Sequence, residues 1–132
     1  MRYRFLRFPG GLAKAVTLSY DDGCKDDIRF SETICAHGLK CTFNINSGFI
    51  AEKEGDWHLT REQIKKYLID TGNEIAVHGK YHRALGKVTT VDGIRDVLDC
   101  RTELENDFGM IIRGMAYPDS GITRFENGAD YA

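Results

Sequence analysis

Two adjacent carboxylates, Asp21-Asp22, end the apolar run Ala15-Val16-Thr17-Leu18-Ser19-Tyr20. Two imidazoles follow in the segment His78-Gly79-Lys80-Tyr81-His82. Two histidines and one carboxylate are a common ligand set for a catalytic divalent metal that keeps one position open for water. A second carboxylate is then free to act as base. Successive side chains at a strand end point to opposite sides of the backbone, so the two aspartates can do different jobs. If the histidine segment forms a helical turn, both rings lie on one side of it. Together these parts make a metal-assisted hydrolase.

The elements that must position these groups repeat one layout: a helical pattern, a stopping glycine, then a strand. The run 15–20 reads as the first strand, being short, rich in β-branched and aromatic residues and stopped by Asp-Asp-Gly. A first helix over about Asp26 to His37 has aspartates at its N-terminal end and Gly38 after its last turn. The strand Cys41-Thr42-Phe43-Asn44-Ile45 follows. A second helix starts at Thr60, with Gln63 completing a capping box, and runs through Ile64, Tyr67 and Leu68 to Gly72. The strand Glu74-Ile75-Ala76-Val77 precedes a third helix, about Val91 to Phe108, whose apolar positions Ile94, Val97, Leu98, Leu104 and Phe108 recur at helical spacing before Gly109. A fourth strand is expected near Met115-Ala116-Tyr117.

The alternation predicts an α/β fold with parallel strands and right-handed crossovers. An open doubly wound sheet and part of a βα barrel both fit, and both bind ligands at the C-terminal strand ends. Asp21 and Asp22, then Asn46 and Ser47, then His78 and His82, then Tyr117, Pro118 and Asp119 all fall at those ends. Four βα units do not close a barrel of seven or eight strands. The chain therefore reads as one incomplete domain, 1–132, with an open edge for a partner, such as a second copy, to cover.

With 42% hydrophobic and 29% charged residues, a net charge of −2 and no basic block, the 132-residue chain reads as globular and not as a nucleic-acid binder. Arg2, Arg4 and Arg7 alternate with Tyr3, Phe5 and Phe8, as in a strand with one polar face. No stretch approaches the roughly 20 apolar residues of a membrane span, and no signal-peptide h-region is visible. Cys24, Cys35, Cys41 and Cys100 form no Cys-x-x-Cys pair, so they read as reduced thiols of a cytoplasmic protein. Cys24 reads as a small packing residue, because nothing is seen to orient a base toward it. His37, at a helix C-terminus, reads as structural.

Three segments resemble the motifs of the polysaccharide deacetylases of carbohydrate esterase family four, the NodB-homology domains. Thr17-Leu18-Ser19-Tyr20-Asp21-Asp22-Gly23 is similar to the family's Thr-Phe-Asp-Asp-Gly. His78-Gly79-Lys80-Tyr81-His82 is similar to His-Ser/Thr-x-x-His, with glycine replacing the hydroxyl residue. Gly114-Met115-Ala116-Tyr117-Pro118-Asp119-Ser120-Gly121 is a weaker counterpart of Arg-x-Pro-Tyr-Gly. The match covers nearly the whole chain in the right order.

The resemblance implies a partial, distorted (β/α) barrel and removal of acetyl groups from N- or O-acetylated sugars. It implies Asp21 as general base, and Asp22, His78 and His82 as ligands of a divalent metal, zinc first among the choices. Tyr117, Pro118 and Asp119 are then substrate-binding candidates, with a backbone N–H near Tyr117-Pro118 for the oxyanion. Trp57, in the loop after Glu52-Lys53-Glu54-Gly55-Asp56, is a candidate to stack on a sugar ring; a plain surface turn is the competing reading. Tyr81 is expected to pack beneath the site.

Ala116 holds the position of the family's arginine, with Arg113 near in sequence, and Asp119 replaces its tyrosine. The motifs that supply a hydrophobic wall and the general-acid histidine have no counterpart before Ala132. A catalytically impaired carbohydrate- or metal-binding remnant is thus the alternative, and a purely structural half-barrel is a third reading.

Overall fold

The structure, a computed structural model, describes residues 7–119. The alternating Arg2–Phe5 segment and the last residues of the third motif, Ser120 and Gly121, lie outside them. Three parallel strands, β1 (Ser19–Asp21), β2 (Thr42–Ile45) and β3 (Glu74–Val77), stand in the order β1-β2-β3. Ser19 pairs with Thr42, and Thr42 with Glu74, so the strands end nearly level. The expected fourth strand is reduced to one parallel bridge, Val77 to Met115, flanked by bonds from Val77 N to Gly114 O and from Ala116 N to Val77 O.

β2 is covered on both faces, as the middle strand of a parallel sheet should be, and Phe43 and Ile45 anchor the core with Ile75, Leu59, Ile64, Leu68 and Leu104. Phe43 is fully buried and meets Tyr20 and Phe30 edge-on at 6.4 and 6.1 Å. Burying such a ring contributes about 1.5–3 kcal/mol.

β1 is shorter than the run 15–20 predicts. Only Leu18 O, accepting from Thr42 N, continues the ladder, and Val16 is 83% exposed. Nothing among the described residues pairs with the outer edge of β1, so β-propensity upstream of Ser19 finds no partner. Phe8 forms an isolated bridge with Leu12 across the turn Pro9–Gly11.

Helix α1 (Asp26–Ala36) opens with Asp26 and Asp27 and closes in a Schellman motif: Gly38 has φ +70, its N–H reaches Cys35 O, and Leu39 N–H reaches Ile34 O. His37 is its C-cap. The second helix has the expected capping box at Thr60 and Gln63 but not the expected geometry. Its α-helical part, α2, is only Arg61–Gln63, and Ile64–Ile69 is a π-helix closed by Asp70 N to Lys65 O. The wider turn leaves carbonyls over, and side chains take them: Thr71 Oγ1 lies 2.8 Å from both Tyr67 O and Leu68 O, and Ser31 Oγ donates to Tyr67 O.

Helix α3 (Thr90–Phe108) starts under a Thr89 cap and ends at Gly109 with φ +63. Its buried face is Gly93, Asp96, Cys100 and Leu104, whereas Ile94 and Leu98 of the predicted stripe are about half exposed. The helix is turned so that Asp96 meets the segment after β3 and Cys100 meets β2, with its thiol donating to Ile45 O. All four cysteines are free thiols. No helix among the described residues is long and apolar enough to cross a membrane.

Candidate metal centre

The strand ends converge on one open cleft of about 370 Å³ lined by Asp21, Asp22, His78, His82, Tyr117 and Asp119. Asp21 is the last residue of β1. Asn44 on β2 donates through Nδ2 to Asp21 Oδ1 at 2.7 Å and to Ser19 Oγ at 2.8 Å. One oxygen of the Asp21 carboxylate is thereby tethered to β2. Asp22 N–H still bonds Asn44 O, but its φ of +82 turns the chain out of the strand. The expected opposition of the two aspartates stops there, and both face the same cleft.

The histidine segment is not a helical turn. It is a loop, with Gly79 at φ +73 and His82 at φ +51, and it brings the rings edge-on at 4.9 Å. His78 is 2% exposed, and its Nδ1 lies 3.1 Å from Ala116 O. A carbonyl only accepts, so Nδ1 carries a proton, and in the neutral ring the lone pair is on Nε2, on the side of Asp22. Asp22 Oδ1 is 3.6 Å from His78 Nε2 and 3.4 Å from His82 Nε2. Ligands held about 2.0–2.2 Å from a tetrahedral ion stand roughly 3.3–3.6 Å from each other. One donor atom from each of Asp22, His78 and His82 lies within 4.8 Å of the others. These residues therefore fit a divalent cation.

Backbone strain gathers at the same place. Among the described residues the non-glycine positions with positive φ are Asp22, His82 and Asp119, and all three line the cleft. Such conformations cost about 1–3 kcal/mol each and concentrate at functional sites.

Other expected site residues lie elsewhere. Pro118 is buried and packs over Gly79 instead of lining the cleft. Trp57 lines a separate cleft of about 580 Å³ with Phe49, Glu52, Asp56 and His58, and Lys25 Nζ sits 5.9 Å from its ring centre. Tyr81 is not beneath the site: it is 45% exposed and packs against Phe49 and Gly48. Ser47 is a brace, its hydroxyl donating to Glu103 Oε2 at 2.7 Å. Arg113 lines a cleft with Gly72, Asn73 and Glu74 at the start of β3, the far end of the sheet from Asp21.

Sequence reasoning missed Asn44. Its signal was a polar residue between the apolar, buried Phe43 and Ile45 of the central strand. It also missed Asp27, which is fully buried with Oδ2 unpartnered while Oδ1 accepts from the Cys24 thiol. Burial pushes the Asp27 carboxyl up to about 7, and the nearby Asp22 charge adds to it, against the pull of the Cys24 hydrogen bond. Burial likewise lowers the pKa of His58, partly offset by Asp22.

No curated protein matches the chain. Solved structures do. The Streptococcus pyogenes deacetylase PplD in complex with acetate superposes with a TM-score of 0.73 at 21% identity, over 81% of this chain and 47% of that one. BC0361, a polysaccharide deacetylase from Bacillus cereus, gives 0.70 at 18%, over 85% and 35%. The peptidoglycan deacetylase PdaC from Bacillus subtilis gives 0.63 at 17%, over 83% and 51%. The chain thus spans about half the length of these structures or less, and its unclosed parallel sheet is part of a (β/α) barrel. The profile of the polysaccharide deacetylases matches residues 3–125, and with that extent of agreement the chain belongs to the polysaccharide deacetylase family.

Proposed function

We propose that this chain carries the hydrolytic centre of a metal-dependent deacetylase acting on N- or O-acetylated carbohydrate. The observation that carries the reading is the convergence of Asp22, His78 and His82 beside Asp21 in one open cleft. Asp22, His78 and His82 would hold the cation, and zinc suits two imidazoles and a carboxylate. When bound, such an ion would supply Lewis acidity toward the acetyl carbonyl and a water molecule. Asp21, fixed by Asn44, takes the proton from the attacking water at Oδ2. His78 keeps its ring orientation through Ala116 O. Tyr117 and Asp119 border the space left for the sugar, and Trp57, in its neighbouring cleft, suits a more distant sugar ring.

Acetate release from acetylated chito-oligosaccharides and from acetylated xylan tests this, with the two substrates separating amide from ester. Release is expected with zinc or cobalt and is expected to fall to background after chelation. Chelator-insensitive release would exclude the cation.

A second reading, a catalytically impaired carbohydrate- or metal-binding remnant, has its own support. Asp21 is braced by neutral Asn44, Ala116 has no cationic side chain, and Arg113 is at the other end of the sheet. It predicts metal binding without acetate release. The outer edge of β1, with which no described residue pairs, suits pairing with another chain, including a second copy, which mass in solution reports.

A further inference from the structure

The loop that carries the two imidazoles is gripped along four consecutive backbone groups by two buried side chains. From β2's C-terminal side, Asn46 Nδ2 donates to His78 O and, at 2.9 Å, to Gly79 O. From α3, Asp96 Oδ2 accepts from Lys80 N–H at 2.9 Å and Asp96 Oδ1 from Tyr81 N–H at 3.3 Å. Lys80 N–H also reaches Asp96 O at 3.1 Å. Asp96 is 5% exposed, and among the described residues the cation paired with it is Arg83, whose Nε is 3.8 Å from Oδ1. A buried carboxylate needs donors, and the loop backbone supplies most of them.

The glycine between the histidine and the lysine follows from this grip. A Cβ at Gly79 would stand 2.6 Å from Asp96 Oδ2 and 3.3 Å from Pro118 Cγ, and φ there is +73. The carboxylate occupies the space a side chain at position 79 would need.

We propose that Asp96 is a positioning residue for the metal centre, setting the separation and aim of the His78 and His82 rings through the backbone of Lys80 and Tyr81. Asn46 closes the other side of the same clamp. Asp96 touches neither cation nor substrate. This rests on the reading of Asp22, His78 and His82 as ligands, and the test separates the two.

Asp96→Ala and Asp96→Asn are compared with the wild-type chain and with Glu103→Gln, which removes the negative charge beside Lys80 Nζ and one of the two oxygens that accept from Lys80 and Ser47 but leaves the loop backbone alone. Asparagine keeps one acceptor, so Asp96→Asn is the variant that retains the fold if Asp96→Ala does not. Cobalt affinity, read from its visible absorption, is expected to fall about 10–100-fold in the Asp96 variants and to stay unchanged in Glu103→Gln. In chelator-treated protein, exchange of the Lys80 and Tyr81 amides is expected to quicken at least about tenfold while the Leu104 amide keeps its wild-type rate. A role limited to general stability would move Leu104 as well. If wild type binds cobalt, unchanged affinity in a folded Asp96 variant overturns the proposal and leaves the metal reading standing. If wild type binds no cobalt, the metal reading fails, and the amide rates alone decide whether Asp96 holds the loop.

Discussion

An Asp21→Asn chain is expected to keep its cation and lose about 10²–10⁴-fold in hydrolysis, the usual worth of a positioned general base. The separation follows from geometry. Asp21 is not among the clustered ligand atoms, whereas Asp22 Oδ1 is within 3.6 Å of both imidazole Nε2 atoms. Asparagine at position 21 keeps an oxygen for the Asn44 amide, so the strand end holds its shape while the proton acceptor is gone. Asp22→Asn, by contrast, weakens cation binding and activity together. Acetate release paired with cobalt titration distinguishes the two aspartates. Full activity in Asp21→Asn, or loss of cobalt from it, removes Asp21 from the role of base.

The second large effect is on stability and pH. Burial disfavours the Asp27 anion, so the folded chain holds the proton up to about pH 7 while the unfolded chain releases it near 3.8. The N-terminal end of α1 favours the anion, but desolvation outweighs it. The contribution is fully present below about pH 4, where both states are protonated. It is lost as the pH rises through about 7, at about 1.4 kcal/mol per unit and up to about 4 kcal/mol in all. Glu103 pulls the other way. Despite burial, its hydrogen bonds to Lys80 and Ser47 hold its pKa below the usual range, so its share is lost in acid. A paired measurement isolates Asp27. Asp27→Asn keeps an acceptor for the Cys24 thiol and cannot ionise. Urea midpoints of chelator-treated protein, from pH 4.5 to 8, are expected to show the variant gaining on wild type toward neutral pH and levelling above it. Parallel curves would mean that Asp27 titrates normally.

The motif residues were legible because local chemistry announces them: Asp-Asp after a β-branched run, and two histidines after the next apolar strand but one. The alternation of elements was legible for the same reason. What escaped depends on partners distant in sequence. Spacing suggested a helical turn for His78 and His82, but Asp96 and Asn46 hold that segment as a loop. Periodicity chose Ile94 and Leu98 for the face of α3, but the loop and the strand it meets select Asp96 and Cys100. Proximity to a motif drew Pro118 into the site, yet it fills the space over Gly79. The strand run 15–20 shortened because pairing, not propensity, decides where an edge strand begins.

The left-handed backbone shared by Asp22, His82 and Asp119 has a practical consequence for engineering. Glycine adopts that conformation without penalty. A library ranked only by heat resistance would therefore enrich glycine at these three positions and erase the cleft's chemistry while appearing to improve the protein. Selection schemes should freeze them and look for added robustness in the core and at the helix ends.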